Sequence, residues 1–201
     1  TFQPTAALPL DTQIWWRVTA NNDCGSTASQ VFSFYTQPGP GQCGTGTTTD
    51  VLFSDNVENG ANGWTHEAAV GTDSWTISTS RPFDGVSSWK AQDPSSISDQ
   101  RLTSPTVTLP SDLSGLNLQF EQFRLMEGSG TTCADGGILE ISVDGGAFSQ
   151  IPSGQFLVGA YTGTVSSGSG NPLAGNQAWC GLATAYEPVI ADLSTYAGHD
   201  V

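Results

Sequence analysis

Acidic residues in two turn-forming stretches are the first candidates for chemistry. DNVENG contains Asp55 and Glu58, and FDGVSSW at 83–89 contains Asp84. Asp192 stands beside a predicted strand near the end of the sequence. Calcium takes several oxygen ligands from carboxylates, amides and backbone carbonyls, and these stretches supply such donors. The predicted ligands of a structural calcium ion are Asp55, Glu58, Asp84 and Asp192, with merely solvated acidic turns as the open alternative.

The cysteines, at positions 24, 43, 133 and 180, form no CxxC pair, and no histidine cluster accompanies them. Disulfide bonds therefore explain them better than a zinc site does. Three pairings are open. We prefer Cys24 with Cys43 and Cys133 with Cys180, because each bond then stays within one segment of the chain. Disulfides predict an oxidising compartment, and hence an extracellular or cell-surface location.

The sequence contains no recognisable catalytic motif. His66 and His199 stand in no triad-like setting, and there is no HExxH helix, no P-loop and no GxGxxG motif placed between a strand and a helix. Glu121 and Glu127 could be paired as the carboxylates of a glycosidase, but an acidic chain produces such pairs by chance. We therefore predict no catalytic residues and no enzyme activity for this chain.

Aromatic residues allow a sugar-binding interpretation, because a planar ring can stack on the face of a pyranose. The candidates are Trp64, Trp75, Trp89, Trp179 and Tyr161. Aromatic residues that alternate on strands usually pack in the core, and Trp75 and Trp89 are interpreted that way. Tyr161 and Trp179 stand beside glycine-rich loops and are predicted as ligand contacts, with a core position equally open.

Charge limits the partners that the chain can have. The formal net charge is -14, with one lysine and four arginines. Nucleic-acid binding needs a basic face that neutralises phosphates, so no nucleic-acid partner is expected. No apolar run approaches the roughly 18 residues of a membrane helix, so no membrane span is predicted. No signal peptide is recognisable, and we expect export to be encoded upstream.

The elements that must position these residues are predicted to be strands. Short runs of alternating residues are separated by Gly, Asp and Ser turns, and no stretch has a helical period. Residues 13–20 and 30–36 are predicted to form a hairpin, followed by a Gly, Pro and Thr linker at 37–49. The glycine-rich segment 159–176 is predicted to be a surface loop. Further strands are predicted at 51–57, 73–79, 101–109, 115–125, 137–143, 155–158 and 187–193.

The first part of the chain resembles a known family. LPLDTQIWWRVTANNDCGSTASQVFSFYT is similar to the last strands of a fibronectin type III domain from secreted bacterial proteins. Ile14 stands where that fold usually has a tyrosine. The resemblance implies that residues 1–36 are the C-terminal strands of an incomplete fibronectin type III sandwich.

Residues 50–201 resemble a MAM-like jelly-roll module that recurs near the C-terminus of secreted bacterial peptidases and other exoproteins. The most specific part is CADGGILEISVDGGAFSQI at 133–151, and FSDNVENGANGW, RLTSPTVTLP and DLSTYAG also match. The resemblance implies an antiparallel jelly-roll β-sandwich that is commonly stabilised by calcium. In relatives a further strand follows DLSTYAG, so we expect this chain to lack its last strand or strands.

Together these observations predict an all-β chain: an antiparallel jelly-roll β-sandwich preceded by a partial fibronectin type III (Ig-like) sandwich. The predicted function is a non-catalytic extracellular accessory region of a secreted bacterial protein, with a metallopeptidase as the expected parent. The expected partner is an extracellular polymer, protein or glycan surface, and the chain is expected to continue covalently into further domains. The alternatives are a stand-alone surface adhesin and a carbohydrate-binding module.

Overall fold

Strands joined by turns make up nearly all of the regular secondary structure, which confirms the predicted all-β, antiparallel fold class. The computed structural model describes residues 3–168 and 170–201. The first two residues of the predicted first domain and Ser169 of the predicted loop lie outside that part of the chain. The chain divides into two units, Thr1–Asp50 and Val51–Val201. The boundary falls next to the predicted start of the second domain.

The first unit contains two antiparallel hairpins. Strand β1 (Gln13–Trp16) pairs with β4 (Phe32–Tyr35), which confirms the predicted hairpin. Strands β2 (Thr19–Asn22) and β3 (Gly25–Ala28) lie between them in sequence and pair with each other.

The segment predicted as a linker, 37–49, folds back onto the first unit. Asp11 donates its backbone N–H to the carbonyl of Gln37 at 3.0 Å. The Asp11 carboxylate accepts hydrogen bonds from the backbone N–H of Thr45 at 2.9 Å and from its hydroxyl at 3.0 Å. The glycine-rich composition indicated a free linker because it offers nothing to bury, but one aspartate anchors the segment through polar contacts.

The second unit is built from many short strands and two 3-10 turns, Ser153–Gln155 and Ser194–Tyr196, among the described residues. Within the described ranges, no helix has the length and apolar character that a membrane crossing requires. The strands are β5 (Thr65–Val70), β6 (Thr76–Ser78), β7 (Ser88–Lys90), β8 (Asp99–Thr103), β9 (Asn117–Gln122), β10 (Leu125–Met126), β11 (Gly128–Ser129), β12 (Thr132–Cys133), β13 (Glu140–Ile141), β14 (Ser149–Gln150), β15 (Phe156–Val158), β16 (Gly163–Val165), β17 (Gln177–Ala178), β18 (Gly181–Leu182) and β19 (Glu187–Asp192).

The longest pairing of the second unit joins β9 to β19, and β15 pairs with the other edge of β19. Strands β11, β12, β16 and β17 form a four-stranded sheet in which β12 and β16 run parallel. The other pairs, β5–β8, β6–β7, β10–β18 and β13–β14, are antiparallel. On β19, Val189 and Ala191 are fully buried while their neighbours are not, which is the alternation expected of a strand with one face in the core.

Two apolar clusters form the core of this unit. Loops and strand ends supply much of the first cluster, which consists of Leu109, Leu116, Ile141, Ile151 and Leu193. The second cluster is smaller and contains the disulfide together with its neighbours, Cys133, Val165, Ala178 and Cys180.

The disulfide Cys133–Cys180 is formed, as predicted, and lies inside the second cluster. The carbonyl of Cys180 accepts a hydrogen bond from Nε of Arg124 at 3.0 Å. Arg124 is buried, and its guanidinium also donates to the Glu187 carboxylate. The hydroxyl of Thr162 donates to the same Cys180 carbonyl at 3.1 Å. Covalent and polar contacts therefore converge on one cysteine.

The second predicted bond, Cys24–Cys43, is not formed, and both residues are exposed free thiols. Cys24 occupies the turn between β2 and β3, where its backbone N–H donates to the side chain of Asn22 at 2.9 Å. The thiol of Cys43 accepts a hydrogen bond from the Thr49 hydroxyl at 3.2 Å. Each cysteine is held in its own local turn, which sequence proximity within one segment does not reveal.

Two predictions of local structure are wrong. Residues 51–57 form no strand, because Asp55 accepts the N–H of Val57 at 2.9 Å and Val57 has a φ of 66°, which together make a turn. The segment 159–176 is not entirely a surface loop, since it contains β16 and its buried Val165. Gly163 at the start of β16 lies so close to the Thr131 carbonyl that a Cβ atom would be 2.6 Å from that oxygen.

The end of the chain is fastened to the rest of the second unit. Val201 exchanges two backbone hydrogen bonds with Val107, at 2.8 and 2.9 Å. Asp144, in a DGG turn, lies 2.7 Å from Nδ1 of His199 and accepts the backbone N–H of Asp200 at 3.0 Å. These contacts, the hydrogen bond to His199 first, lower the pKa of Asp144.

Removal of the disulfide should destabilise the chain. The double variant C133A/C180A should lose about 4 kcal/mol of unfolding free energy, because the bond closes a separation of 47 residues in the unfolded chain. Urea unfolding followed by tryptophan fluorescence measures the loss. The matched control, C24S/C43S, removes two exposed free thiols and should leave the midpoint unchanged. A C133A/C180A midpoint equal to that of the unaltered chain would contradict this assignment.

Acid should weaken the hydrogen bonds of Asp144 to His199 and Asp200, which hold the last residues of the chain. The pKa of Asp144 is lower in the folded chain than in the unfolded chain, where an aspartate titrates near about 3.9. Its stabilising contribution is therefore complete above that value and is lost as the pH falls through the folded pKa. Melting temperatures between pH 6 and pH 2 should fall less steeply in D144N than in the unaltered chain. D112N, which replaces an exposed aspartate, is the control and should keep the original slope; identical profiles for D144N and the unaltered chain would disprove this role.

Candidate functional site

The structure brings two of the predicted calcium-binding turns together. Oε1 of Glu58 accepts hydrogen bonds from the backbone N–H groups of Val86 and Ser87, both at 2.8 Å. Gly85 has a φ of 67°, and a Cβ atom there would lie 2.5 Å from the same carboxylate oxygen. A glycine is therefore required where Glu58 enters the turn that begins at Asp84.

The other predicted ligands are occupied by hydrogen bonds. Oδ2 of Asp55 accepts the indole N–H of Trp64 at 2.7 Å, and its Oδ1 accepts the Val57 N–H. Oδ1 of Asp84 lies 2.8 Å from the N–H of Gly85. Each of these carboxylates therefore has an N–H donor from the chain itself.

Asp192 lies apart from these turns in the fold. It ends β19, opposite Asn117 of β9, and its Oδ1 accepts the N–H of Ser194 at 2.8 Å. Across residues 3–168 and 170–201, no three His, Cys, Asp or Glu side chains are grouped so that they could hold a metal ion. The four predicted ligands are thus not assembled into one cluster, and a calcium ion at Glu58 and Asp84 stays a prediction that backbone oxygens would have to complete.

Of the two predicted ligand contacts, Trp179 lies in the core and Tyr161 is half-buried beside it. Trp179 is only 4% exposed and donates its indole N–H to the carbonyl of Gly159 at 2.7 Å. The Tyr161 ring contacts the Trp179 ring edge-on, with centroids 4.7 Å apart. Its hydroxyl accepts the Leu139 N–H at 3.1 Å and donates to the Ile151 carbonyl at 3.0 Å. Burial raises the pKa of Tyr161, so the hydroxyl remains a neutral donor that joins two segments.

The paired carboxylates considered for catalysis face different clefts. Glu121, on β9 opposite Pro188, lines a shallow depression. Glu127 lines a separate cleft of about 410 Å³ together with Asp93 and Asp135. The structure therefore does not place Glu121 and Glu127 across one substrate position.

The histidines form pairs with aspartates. Nδ1 of His66 is 2.5 Å from Oδ2 of Asp73, and this hydrogen bond lowers the pKa of Asp73. The His66 ring also contacts the Trp89 ring edge-on, at a centroid distance of 5.7 Å. With His199 held by Asp144, both histidines are in exposed turns or strands rather than in a cleft.

A surface that the sequence patterns did not single out joins an exposed arginine to three aromatic rings of the second unit. We call it the Arg81 surface, and it consists of Arg81, Phe83, Phe123 and Tyr186. The guanidinium carbon of Arg81 lies 4.0 Å from the centroid of the Phe123 ring. Tyr186 lies between the two phenylalanines, with centroid distances of 5.2 Å to Phe83 and 5.8 Å to Phe123. Phe83 is 60% exposed.

The Arg81 surface rests on a fixed loop. The carbonyl of Arg81 accepts hydrogen bonds from the hydroxyls of Ser88, at 2.9 Å, and Tyr186. Glu58 binds the far side of the same loop through Val86 and Ser87. One signal in the sequence could have pointed to this loop, the turn residues in FDG. The contact with Tyr186 spans 105 positions along the chain, and no local pattern indicates it.

Comparison with known proteins gives no match. No family model matches the chain, and no curated protein or solved structure is significantly similar to it. The fibronectin type III and MAM-like resemblances thus stay predictions that rest on the motifs quoted above.

Loss of Glu58 should destabilise the second unit. E58A leaves the N–H groups of Val86 and Ser87 without their charged acceptor and should cost about 1–3 kcal/mol of unfolding free energy. E58Q keeps an oxygen acceptor and should lose less unfolding free energy than E58A. D112N is the control for removal of one exposed negative charge and should have no effect. Denaturant unfolding of the three variants measures the difference, and an E58A stability equal to that of D112N would contradict the role of Glu58.

The same variants test the calcium prediction. If an ion links the Glu58 and Asp84 turns, added calcium should raise the melting temperature of the unaltered chain but not that of E58A, since only a folded site binds the ion. A melting temperature that is indifferent to both calcium and EDTA would contradict the prediction.

Proposed function

We propose that this chain is a non-catalytic accessory region that attaches a larger extracellular protein to a polymer, protein or glycan surface. The observation that carries the proposal is the exposure of large aromatic side chains in each of the two units. Aromatic side chains bury a large area in a small contact, and exposed apolar patches commonly mark interaction sites.

In the first unit these side chains belong to the β1–β4 hairpin. Trp15 is 64% exposed, and Trp16, Phe34 and Tyr35 are also exposed. Successive residues of a strand point to opposite faces, so Trp15 and Trp16 make both faces of β1 apolar. The Trp16 ring stacks on the Phe32 ring with centroids 4.9 Å apart, which leaves one side of this pair available. Further polypeptide or a polymer that covered this hairpin would gain apolar burial.

The strand edges of this hairpin support the same interpretation. Within the described residues, β1 and β4 each pair with one strand, each other. An unpaired edge presents N–H and C=O groups that another strand can bind. This arrangement suits a hairpin that is continuous with, or docks against, further β-structure of the parent protein.

The second unit supports an extracellular setting. The Cys133–Cys180 bond requires oxidising conditions during folding, which secreted proteins meet. The proposed parent is a secreted bacterial metallopeptidase whose catalytic domain lies in other residues of the full protein, and this part rests on the resemblance of 50–201 to modules of such enzymes. Attachment by a separate region would raise the effective concentration of a catalytic domain at its substrate.

Attachment without turnover is the expected result for the purified chain. It should sediment with at least one insoluble extracellular polymer from a panel of cellulose, chitin, peptidoglycan and collagen, and should release no soluble product from any of them. Protein in the pellet and sugar or peptide in the supernatant are measured in the same tubes. Product release that E121Q or E127Q abolishes would refute the non-catalytic assignment, and failure to sediment with every polymer would refute attachment.

A further inference from the structure

The Arg81 surface has the composition of a small binding site. The exposed ring of Phe83 stands at 61° to the half-buried ring of Tyr186. Phe83 therefore offers a flat apolar face, and Tyr186 borders that face on one side. Phe123 lies on the other side of Tyr186, and the guanidinium of Arg81 lies over the Phe123 ring. The loop that carries Arg81 and Phe83 is held by Glu58, Ser88 and Tyr186, so little ordering is needed when a ligand binds.

Arg81 is the one arginine of the second unit whose side chain has no ion pair among the described residues. Arg101 pairs with Asp99 and Arg124 pairs with Glu187. Arg81 makes no ion pair with any carboxylate of the described residues, although the chain has 19 acidic residues. The Phe123 ring attracts the guanidinium from one side, while the N–H groups of Arg81 keep their capacity to donate hydrogen bonds to an acceptor outside the chain.

The ligand must combine an apolar face with several oxygen acceptors. A pyranose ring meets both requirements, because its C–H groups form an apolar face and its hydroxyls surround the rim. The formal charge of -14 repels polyanions at long range, so a neutral sugar suits this chain better than a sulfated or uronate polymer. We propose that the Arg81 surface binds a neutral glycan, with the sugar face on Phe83 and sugar hydroxyls on the Arg81 guanidinium.

This assignment rests on the proposed function, of which it specifies the ligand and the site. It differs from the glycan site that the sequence predicted, since Trp179 lies in the core and Tyr161 is half-buried beside it. Loss of one ring and its buried area should weaken binding about tenfold.

Affinity electrophoresis in gels that contain neutral soluble polysaccharides tests the site. The panel is hydroxyethylcellulose, glucomannan, xyloglucan and glycol chitin in its fully acetylated form, with polygalacturonate as the anionic arm. At least one neutral polysaccharide should retard the unaltered chain, and F83A and R81A should each weaken this retardation about tenfold or more. R81K keeps the charge but loses the planar fork and should weaken it as well.

Two controls separate recognition from loss of structure. F148A removes an exposed phenylalanine outside the Arg81 surface, and R17A removes an exposed arginine of the first unit; both should bind as the unaltered chain does. Melting temperatures confirm that F83A and R81A are folded, which the exposure of both side chains favours.

The proposal is overturned if no neutral polysaccharide retards the chain, if only polygalacturonate does, or if folded F83A and R81A bind as well as F148A. After any of those outcomes, sedimentation with collagen or peptidoglycan would still support the accessory function. Failure of this site is thereby distinguished from failure of the accessory function.

Discussion

The covalent bond between Cys133 and Cys180 is the constraint on which the second apolar cluster depends. Among the described residues, the buried members of that cluster besides the two half-cystines are Val165 and Ala178, and partly buried Met126, Ile138 and Leu173 pack against them, a small apolar volume for several two- and three-residue strands. The bond fixes the segment after β17 against β12. Gly163 of β16 lies so close to Thr131 and Cys133 that it has no room for a side chain. Arg124 then secures the Cys180 carbonyl from a buried position and continues the connection to Glu187 on β19.

Local N–H donors explain how such an acidic chain folds around its turns. Asp55, Glu58 and Asp84 each accept hydrogen bonds from N–H groups within turns. Such bonds replace hydrogen bonds to water that the carboxylate loses on folding. The Glu58 contact also determines where Arg81 and Phe83 are presented, because it orders the loop between β6 and β7. The turns that the sequence indicated as a metal site thus have a positioning role in this structure.

The aromatic residues divide into two functions by their place in the fold. Tyr161 and Trp179 form an edge-to-face cluster with Phe156 at centroid distances of 4.7–5.4 Å, and their polar atoms bind backbone groups. These rings stabilise the interior. Phe83 on the second unit, and Trp15 on the first, keep most of their area in solvent. Only rings of the second kind can contribute a contact to a partner, so exposure rather than residue type selects the rings on which the proposed attachment depends.

The sequence by itself determined the all-β class, the β1–β4 hairpin and the position of β19, because alternation and turn residues act over short distances. It left three cysteine pairings open, and of the two bonds preferred on the ground of segment only Cys133–Cys180 is formed. It could not locate β5, which lacks a regular alternation of polar and apolar residues, or the short β16 within a glycine-rich segment. Both become strands through partners elsewhere in the sequence. Nor could it separate core from surface for Trp179 and Phe83, since both are aromatic residues near glycine. Only the tertiary structure decided which rings are covered, which carboxylates meet N–H donors, and that Arg81 lies beside Phe123 and Tyr186. The reason is that burial and long-range contacts depend on segments far apart in the sequence, which no local pattern connects.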